Sequence, residues 1–545
     1  MEGSNLLVYN KEYRFGEAEN GVLFMKNKLP IGIQGFTGLR NDGYLYVDKT
    51  EYIYKAVHGG KQYFLSRPRR FGKSLLLSAF RAYWEGKKDL FRGLAIERLE
   101  QNNPEAWESV PVFYLDLNRG DYRSTSLEQV LENQLRDWEA IYGERFQDRA
   151  LGERFQKLLE MAAEKTGHRC VILVDEYDKP LLDVIDNAEM ESRNRQVFKG
   201  FFSALKSCDE YIRFVFVAGV TKFSKVSIFS DLNQLRDISL SREYSGICGI
   251  TDRELSEYFS GDLSELAARH GLSGEECLAQ LKKTYDGYLF HPQGESVYNP
   301  FSLLNAFADE EFRSFWFATG TPTFLVKKIR ESGFDIRKLS DKTLFASEAA
   351  LSDYRTEDPD PVPLLFQTGY LTIAEYDSKR KRYTLCFPNE EVEYGFLESL
   401  VPVYVPDAMS GRGTDIFTLE DYVEKGNTDG IRDILAALFA GIPYTNEKNP
   451  FEHYFQTVIY LVFTLLGQYV HCEMHTFSGR IDCVLETKKY VYLFEFKRDD
   501  TAEAALSQIE DKGYAFPYQA DKRTVFRIGA SFDSEKRMLT GWIVR

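Results

Sequence analysis

At 545 residues with a net charge of −15, the chain is long enough for roughly two to four domains and too acidic for a broadly basic nucleic-acid-binding surface. No apolar run approaches the ~18–20 residues that span a bilayer, and Met1-Glu2-Gly3-Ser4-Asn5 opens in polar sequence rather than as a signal peptide. Seven cysteines with no C-x-x-C spacing argue for reduced thiols and against a zinc site, so the expected compartment is the cytoplasm, without membrane association.

Residues 1–24 lack the periodic apolar pattern of the later segments. They read either as a small appended segment or as sequence ahead of a true start at Met25, the second being preferred. Further on, Tyr63-Phe64-Leu65-Ser66 is a short apolar run, followed by Arg67-Pro68-Arg69-Arg70-Phe71-Gly72-Lys73-Ser74 and a helical pattern over Leu75–Trp84. Strand, loop, Gly-Lys-Ser and helix is the order of a phosphate-binding loop. Main-chain N–H groups at such a loop and helix start cradle phosphate. Lys73 would reach the β- and γ-phosphates of ATP or GTP, and the Ser74 hydroxyl would ligate Mg²⁺. The usual leading glycine is replaced by Arg67. Arg69 and Arg70 read as phosphate contacts, as groups acting on a neighbouring subunit of an oligomer, or as solvated side chains.

Val171-Ile172-Leu173-Val174-Asp175-Glu176 is a buried-strand run ending in two carboxylates. After a phosphate loop this reads as a Walker B strand, with Asp175 holding Mg²⁺ and Glu176 polarising the attacking water; without the loop it reads as a helix cap after a strand. A third run, Phe214–Val220, ends at Thr221-Lys222. Thr221 is a candidate phosphate-sensing side chain or, equally, a helix N-cap. Thr251 with Glu254 three residues later is a capping box, and Asn299-Pro300 places proline at the first position of another helix. The Asp-Pro-Asp-Pro stretch within Asp353–Pro363 reads as a linker, and Lys381–Phe387 as part of a hairpin.

Near the end, Gly479-Arg480-Ile481-Asp482 precedes Val491-Tyr492-Leu493-Phe494-Glu495-Phe496-Lys497. Alternate residues of a strand share a face, so Glu495 and Lys497 point the same way, and a hairpin would bring Asp482 beside Glu495. Two carboxylates and an ammonium suit Mg²⁺ and a water attacking a phosphodiester. A lone E-x-K is more commonly a solvated pair on an open hairpin face. Here Glu495 stands between two phenylalanines, where an unpaired charge is costly.

The terminal arrangement resembles the PD-(D/E)XK nuclease superfamily over about residues 440–545, with Gly-Arg-Ile-Asp in place of Pro-Asp. The resemblance implies a further carboxylate at Glu452, at the opening of the apolar helix-like run Phe451–Leu466, and a site glutamine at Gln508 on a helix read over Ala502–Tyr514. The loop, together with Leu29–Phe36, Tyr44–Thr50, Val174–Pro180, Tyr285-Asp286-Gly287-Tyr288 and Tyr298-Asn299-Pro300, resembles the bacterial AAA-ATPase-like family, which joins such an ATPase to a C-terminal PD-(D/E)XK domain. The expected fold is therefore α/β, with a parallel P-loop sheet and helical lid followed by a restriction-endonuclease-like domain. Boundaries are expected at 1–24, 25–250 for the ATPase core, 251–410 for a helical and mixed lid and connector, and 411–545 for the nuclease-like domain. The function implied is ATP binding and hydrolysis coupled to a metal-dependent nuclease on DNA or RNA. The alternatives are a nucleotide-controlled regulatory switch of the STAND kind and a nucleic-acid-binding module with an inactive nuclease fold.

Overall fold

The computed structural model describes residues 14–15, 25–26, 28–143, 148–223, 235–317, 323–339, 344–352, 354, 360–404, 416–440, 450–467, 471–474, 481–536 and 538–545. Most of 1–24 and Gly479-Arg480 lie outside these. The chain forms two compact units, one of residues 1–319 with 345–391, the other of 320–344 with 392–545.

Ahead of the first unit's core, β1 (Arg14–Phe15) pairs antiparallel with β2 (Met25–Lys26). The core is a sheet of β3 (Gln62–Ser66), β4 (Val112–Asp116), β5 (Cys170–Asp175), β6 (Ile212–Gly219) and β7 (Arg236–Asp237), in the order β4-β5-β6-β3-β7. Every pairing in it is parallel. β3 and β5 are buried at every position, the continuous apolar pattern of strands covered on both faces. The helices Lys73–Trp84 and Leu151–Thr166 pack against β5.

A helical region follows the sheet in sequence, and its Pro300–Asp309 helix reaches the phosphate-type loop. Thr251 and Glu254 form the expected capping box on the Asp252–Tyr258 helix, and the Asn299 side chain caps Pro300–Asp309 by accepting from the N–H groups of Phe301 and Ser302. Leu255, Phe259, Leu281, Tyr285, Leu303 and Phe307 form its core. The unit closes with β8 (Leu344–Ser347), β9 (Thr372–Asp377) and β10 (Arg382–Cys386) in the order β8-β10-β9, the last two an antiparallel hairpin.

The second unit holds β11 (His471–Met474), β12 (Cys483–Glu486), β13 (Tyr490–Arg498), β14 (Thr524–Asp533) and β15 (Met538–Val544), in sequential order. β12 and β13 are antiparallel; β13 and β14 are parallel and are bridged by the helix Ala502–Asp511. Val491 and Leu493 pack under Leu506 and Ile509 of that helix. Phe494 and Phe496, on the opposite face by strand alternation, meet Phe463 of the Pro450–Leu466 helix. Gly529 permits the close crossing: a Cβ there would stand 2.3 Å from the Ala502 carbonyl oxygen.

Candidate functional sites: a phosphate-type loop and a buried carboxylate–lysine cluster

β3 ends at Ser66 and the next helix begins at Lys73, so the loop between them sits at the carboxyl end of a parallel sheet, where ligands of such folds bind. Its turn is made by left-handed residues at Arg70 (φ 68°) and Gly72 (φ 87°). Arg67 faces inward. It is buried, donates to the carbonyls of Ser66, Ser239 and Tyr244, and stacks 3.8 Å from the centre of the Phe290 ring. An arginine is accommodated at this position because its side chain anchors the loop from behind and leaves the front free.

Lys73 is buried and donates to the carbonyls of Arg67 and Pro68 at 3.0 and 3.1 Å, with Glu176 at 3.9 Å. Asp175 is 3 % exposed. Its Oδ2 accepts from the Tyr114 hydroxyl at 3.1 Å, while Oδ1 has no partner. Burial raises its pKa to about 6, with the charge of Glu176 adding to the effect and Ser74, Lys73 and Tyr114 opposing it. Glu176 follows in a left-handed conformation (φ 53°). A cleft of about 480 Å³ lies in front, lined among others by Arg69, Arg70, Lys73, Ser74, Glu176 and Phe301; Ser74, Tyr114 and Asp175 line an adjoining recess. The volume falls in the usual range for small-molecule sites. Arg69 and Arg70 are exposed, Arg70 lying 4.8 Å from the centre of the Phe301 ring.

Thr221, placed by sequence among the phosphate contacts, is fully buried, and its hydroxyl donates to Asp178 at 2.7 Å. Asp178 also accepts from the N–H groups of Val220 and Thr221. Tyr177 donates to the Thr221 carbonyl and accepts from the Phe223 N–H. The segment after β5 is thus stitched to the end of β6, and Gly219 is required there, since a Cβ would lie 2.4 Å from Asp178. Sequence reasoning quoted Tyr177 and Asp178 only as part of a motif and did not single out Tyr114. The one signal for Tyr114 was its position in β4, whose last residue is in register with Asp175.

In the second unit, the register Cys483↔Phe494 carries Asp482 to the level of Glu495, and the Asp482 carboxylate accepts from the Phe496 N–H at 2.8 Å. Glu495 is 2 % exposed; Lys497 donates to its Oε1 at 3.3 Å, and Oε2 has no partner. Lys497 also donates to Oε1 of Gln508 at 2.5 Å. Burial lifts the Glu495 pKa to about 7; the Asp482 charge adds to this and Lys497 opposes it. Asp482, Glu495, Lys497 and Gln508 therefore belong to one cluster under the Ala502–Asp511 helix. Glu452 lies on the Pro450–Leu466 helix, but its side chain is outside the described residues.

Both places suit a hard divalent cation. Each has a buried carboxylate with one free oxygen, at Asp175 with the Ser74 hydroxyl beside it and at Glu495 with Asp482 beside it. Among the described residues no three His, Cys, Asp or Glu side chains cluster as a ready metal site. An ion would complete its shell from water, hydroxyl or phosphate oxygens, as Mg²⁺ commonly does.

Residues 30–229 match the family model described as "Predicted AAA-ATPase", and residues 450–542 match that of the PD-(D/E)XK nuclease superfamily. The chain is 37% identical over 537 residues to a protein of Azotobacter chroococcum mcd 1 named "Uncharacterized protein in vnfD 5'region", covering 95% of this chain and 99% of that protein. No solved structure gives a significant match. No helix among the described residues is long and apolar enough to cross a membrane. The chain belongs to the AAA-ATPase-like family, in the form that joins an AAA-ATPase-like domain to a C-terminal PD-(D/E)XK nuclease superfamily domain.

Proposed function

We propose that the protein hydrolyses a nucleoside triphosphate with Mg²⁺ at the Arg67–Ser74 loop and couples that cycle to metal-dependent cleavage of DNA or RNA at the Asp482–Glu495–Lys497 cluster. The observation that carries the nuclease reading is the Lys497 ammonium, held between the Glu495 carboxylate and Gln508 on one face of β13. A divalent ion bound by Asp482 and Glu495 would supply Lewis-acid charge to the scissile phosphate. Lys497 would orient the attacking water and offset the developing negative charge, while Gln508 fixes the lysine's direction.

At the loop, Lys73 would leave its two carbonyl acceptors for the β- and γ-phosphates, and Asp175 with Ser74 would hold Mg²⁺. Glu176, 3.9 Å from Lys73, would polarise the hydrolytic water. Arg69 and Arg70 are exposed and available to phosphates of the same chain or of a neighbouring subunit. Thr221 enters as a support for Asp178 and, through it, for the strand end that carries Glu176.

The test is the full-length protein incubated with single- and double-stranded DNA and RNA, with and without ATP and with Mg²⁺ or Mn²⁺. Metal-dependent cleavage that changes on adding nucleotide is expected. Nucleotide hydrolysis with no cleavage of any substrate would remove the nuclease half of the proposal.

A further inference from the structure

The recess beside the phosphate-side cleft, of about 190 Å³, is walled by the helix after the loop and by the ends of β4 and β5. Ser74, Ser78 and Arg81 line it from that helix, at spacings of four and three that share one helix face. Its two carboxylates differ. Asp116 accepts at Oδ1 from the Asn118 N–H and at Oδ2 from Nε of Arg119. Asp175 is held at Oδ2 by the Tyr114 hydroxyl at 3.1 Å, while among the described residues its buried Oδ1 has no partner.

Strand register explains how Tyr114 reaches this carboxylate. β4 is the edge strand beside β5, and Tyr114 is level with Leu173, two residues short of Asp175. Alternate residues of a strand share a face, and two residues advance the chain by about 7 Å. Tyr114 therefore lies on the side of the sheet that carries Asp175, and the length of a phenol spans the offset. A serine or threonine hydroxyl at 114 would fall short. The ring is itself held, with the Arg81 guanidinium 5.6 Å from its centre and Arg81 paired to Glu85.

We propose that Tyr114 is a positioning residue for the divalent ion of the nucleotide site: its hydroxyl fixes one oxygen of Asp175 and so leaves Oδ1, beside Ser74, as the oxygen available to the ion. The inference rests on the reading of the loop as a nucleotide site that uses Mg²⁺. The terminal torsion of an aspartate is broad, so a fixed donor on one oxygen decides where the other points. Outer partners of a metal-binding carboxylate typically carry about tenfold or more of the metal affinity.

The experiment measures ATP binding to the full-length protein by calorimetry, in EDTA and in saturating Mg²⁺, for the parent and for Tyr114→Phe, which keeps the ring and deletes the hydroxyl. The two proteins should bind ATP equally in EDTA, which also shows that the variant is folded. The gain in affinity on adding Mg²⁺ should be roughly tenfold smaller in the variant. An equal gain in both proteins, or a loss of ATP affinity in EDTA as large as that in Mg²⁺, would make Tyr114 a structural partner only; either result overturns the inference and leaves the phosphate loop standing. A parent that binds ATP with no gain from Mg²⁺ would overturn the ion's place at Asp175 as well. Failure of the parent to bind ATP in either condition would overturn the reading of the loop and this inference with it.

Discussion

The two candidate sites are built from the same parts by opposite means. Each has a nearly buried carboxylate with one unpaired oxygen, Asp175 and Glu495, and each has a lysine close by. At the loop the main chain does the shaping: left-handed turns at Arg70 and Gly72 bend it, and carbonyls of Arg67 and Pro68 hold Lys73. In the second unit side chains do it: Lys497 rests on Glu495 and Gln508, brought together from a strand and a helix. A site framed by backbone tolerates an exchange at one side chain, as Arg67 illustrates. A site framed by side chains depends on strand register and on a helix crossing.

Substitutions sharpen that contrast. The largest effect is expected at Glu176→Gln, which should keep nucleotide binding and slow hydrolysis by on the order of 10²–10⁴-fold, read by phosphate release. Lost binding would instead make Glu176 structural. Lys73→Ala should weaken nucleotide binding by on the order of 100-fold, as charge-assisted contacts to phosphate disappear; calorimetry giving unchanged affinity would break the loop assignment. Asp178→Ala leaves the buried N–H groups of Val220 and Thr221 without their acceptor, at a cost of about 3 kcal/mol. Thermal unfolding indistinguishable from the parent would show that this connection is dispensable.

The smallest effect concerns pH. Because burial raises the Glu495 pKa to about 7, the folded metal-free protein holds a proton there that the unfolded chain releases near the ordinary value of about 4.3. Its contribution to stability is present below that ordinary value and is lost as pH rises through about 7. Glu495→Gln should remove this dependence and stabilise the metal-free protein at pH 8 by about 2 kcal/mol. Metal binding to the parent should strengthen over the same rise in pH. Parallel stability–pH curves for parent and variant would contradict the assigned environment of Glu495.

Much of this was legible in the sequence because it is local. The Gly-Lys-Ser turn, the apolar run ending at Asp175, the Thr251–Glu254 capping box and the Asn299-Pro300 helix start each depend on neighbours within a few residues. The pairing of Asp482 with Glu495 was legible because a period-two strand and a short turn fix a register. The inward course of Arg67 was not, since its acceptors at Ser239 and Tyr244 are far along the chain. For the same reason the Thr221 hydroxyl, which a strand-end position suggested for phosphate, was not foreseen on Asp178. Tyr114 escaped notice because only the parallel pairing of β4 with β5 makes it a neighbour of Asp175.

The central claim is that two distinct catalytic centres reside in one chain. The most direct measurement follows nucleic-acid cleavage and nucleotide hydrolysis together in parent protein and Lys497→Ala, with ATP and Mg²⁺ or Mn²⁺. The account predicts metal-dependent cleavage by the parent and its loss in the variant, with hydrolysis of ATP and thermal unfolding preserved. Cleavage undiminished in Lys497→Ala, or a parent that hydrolyses ATP and cuts no nucleic acid, would contradict it.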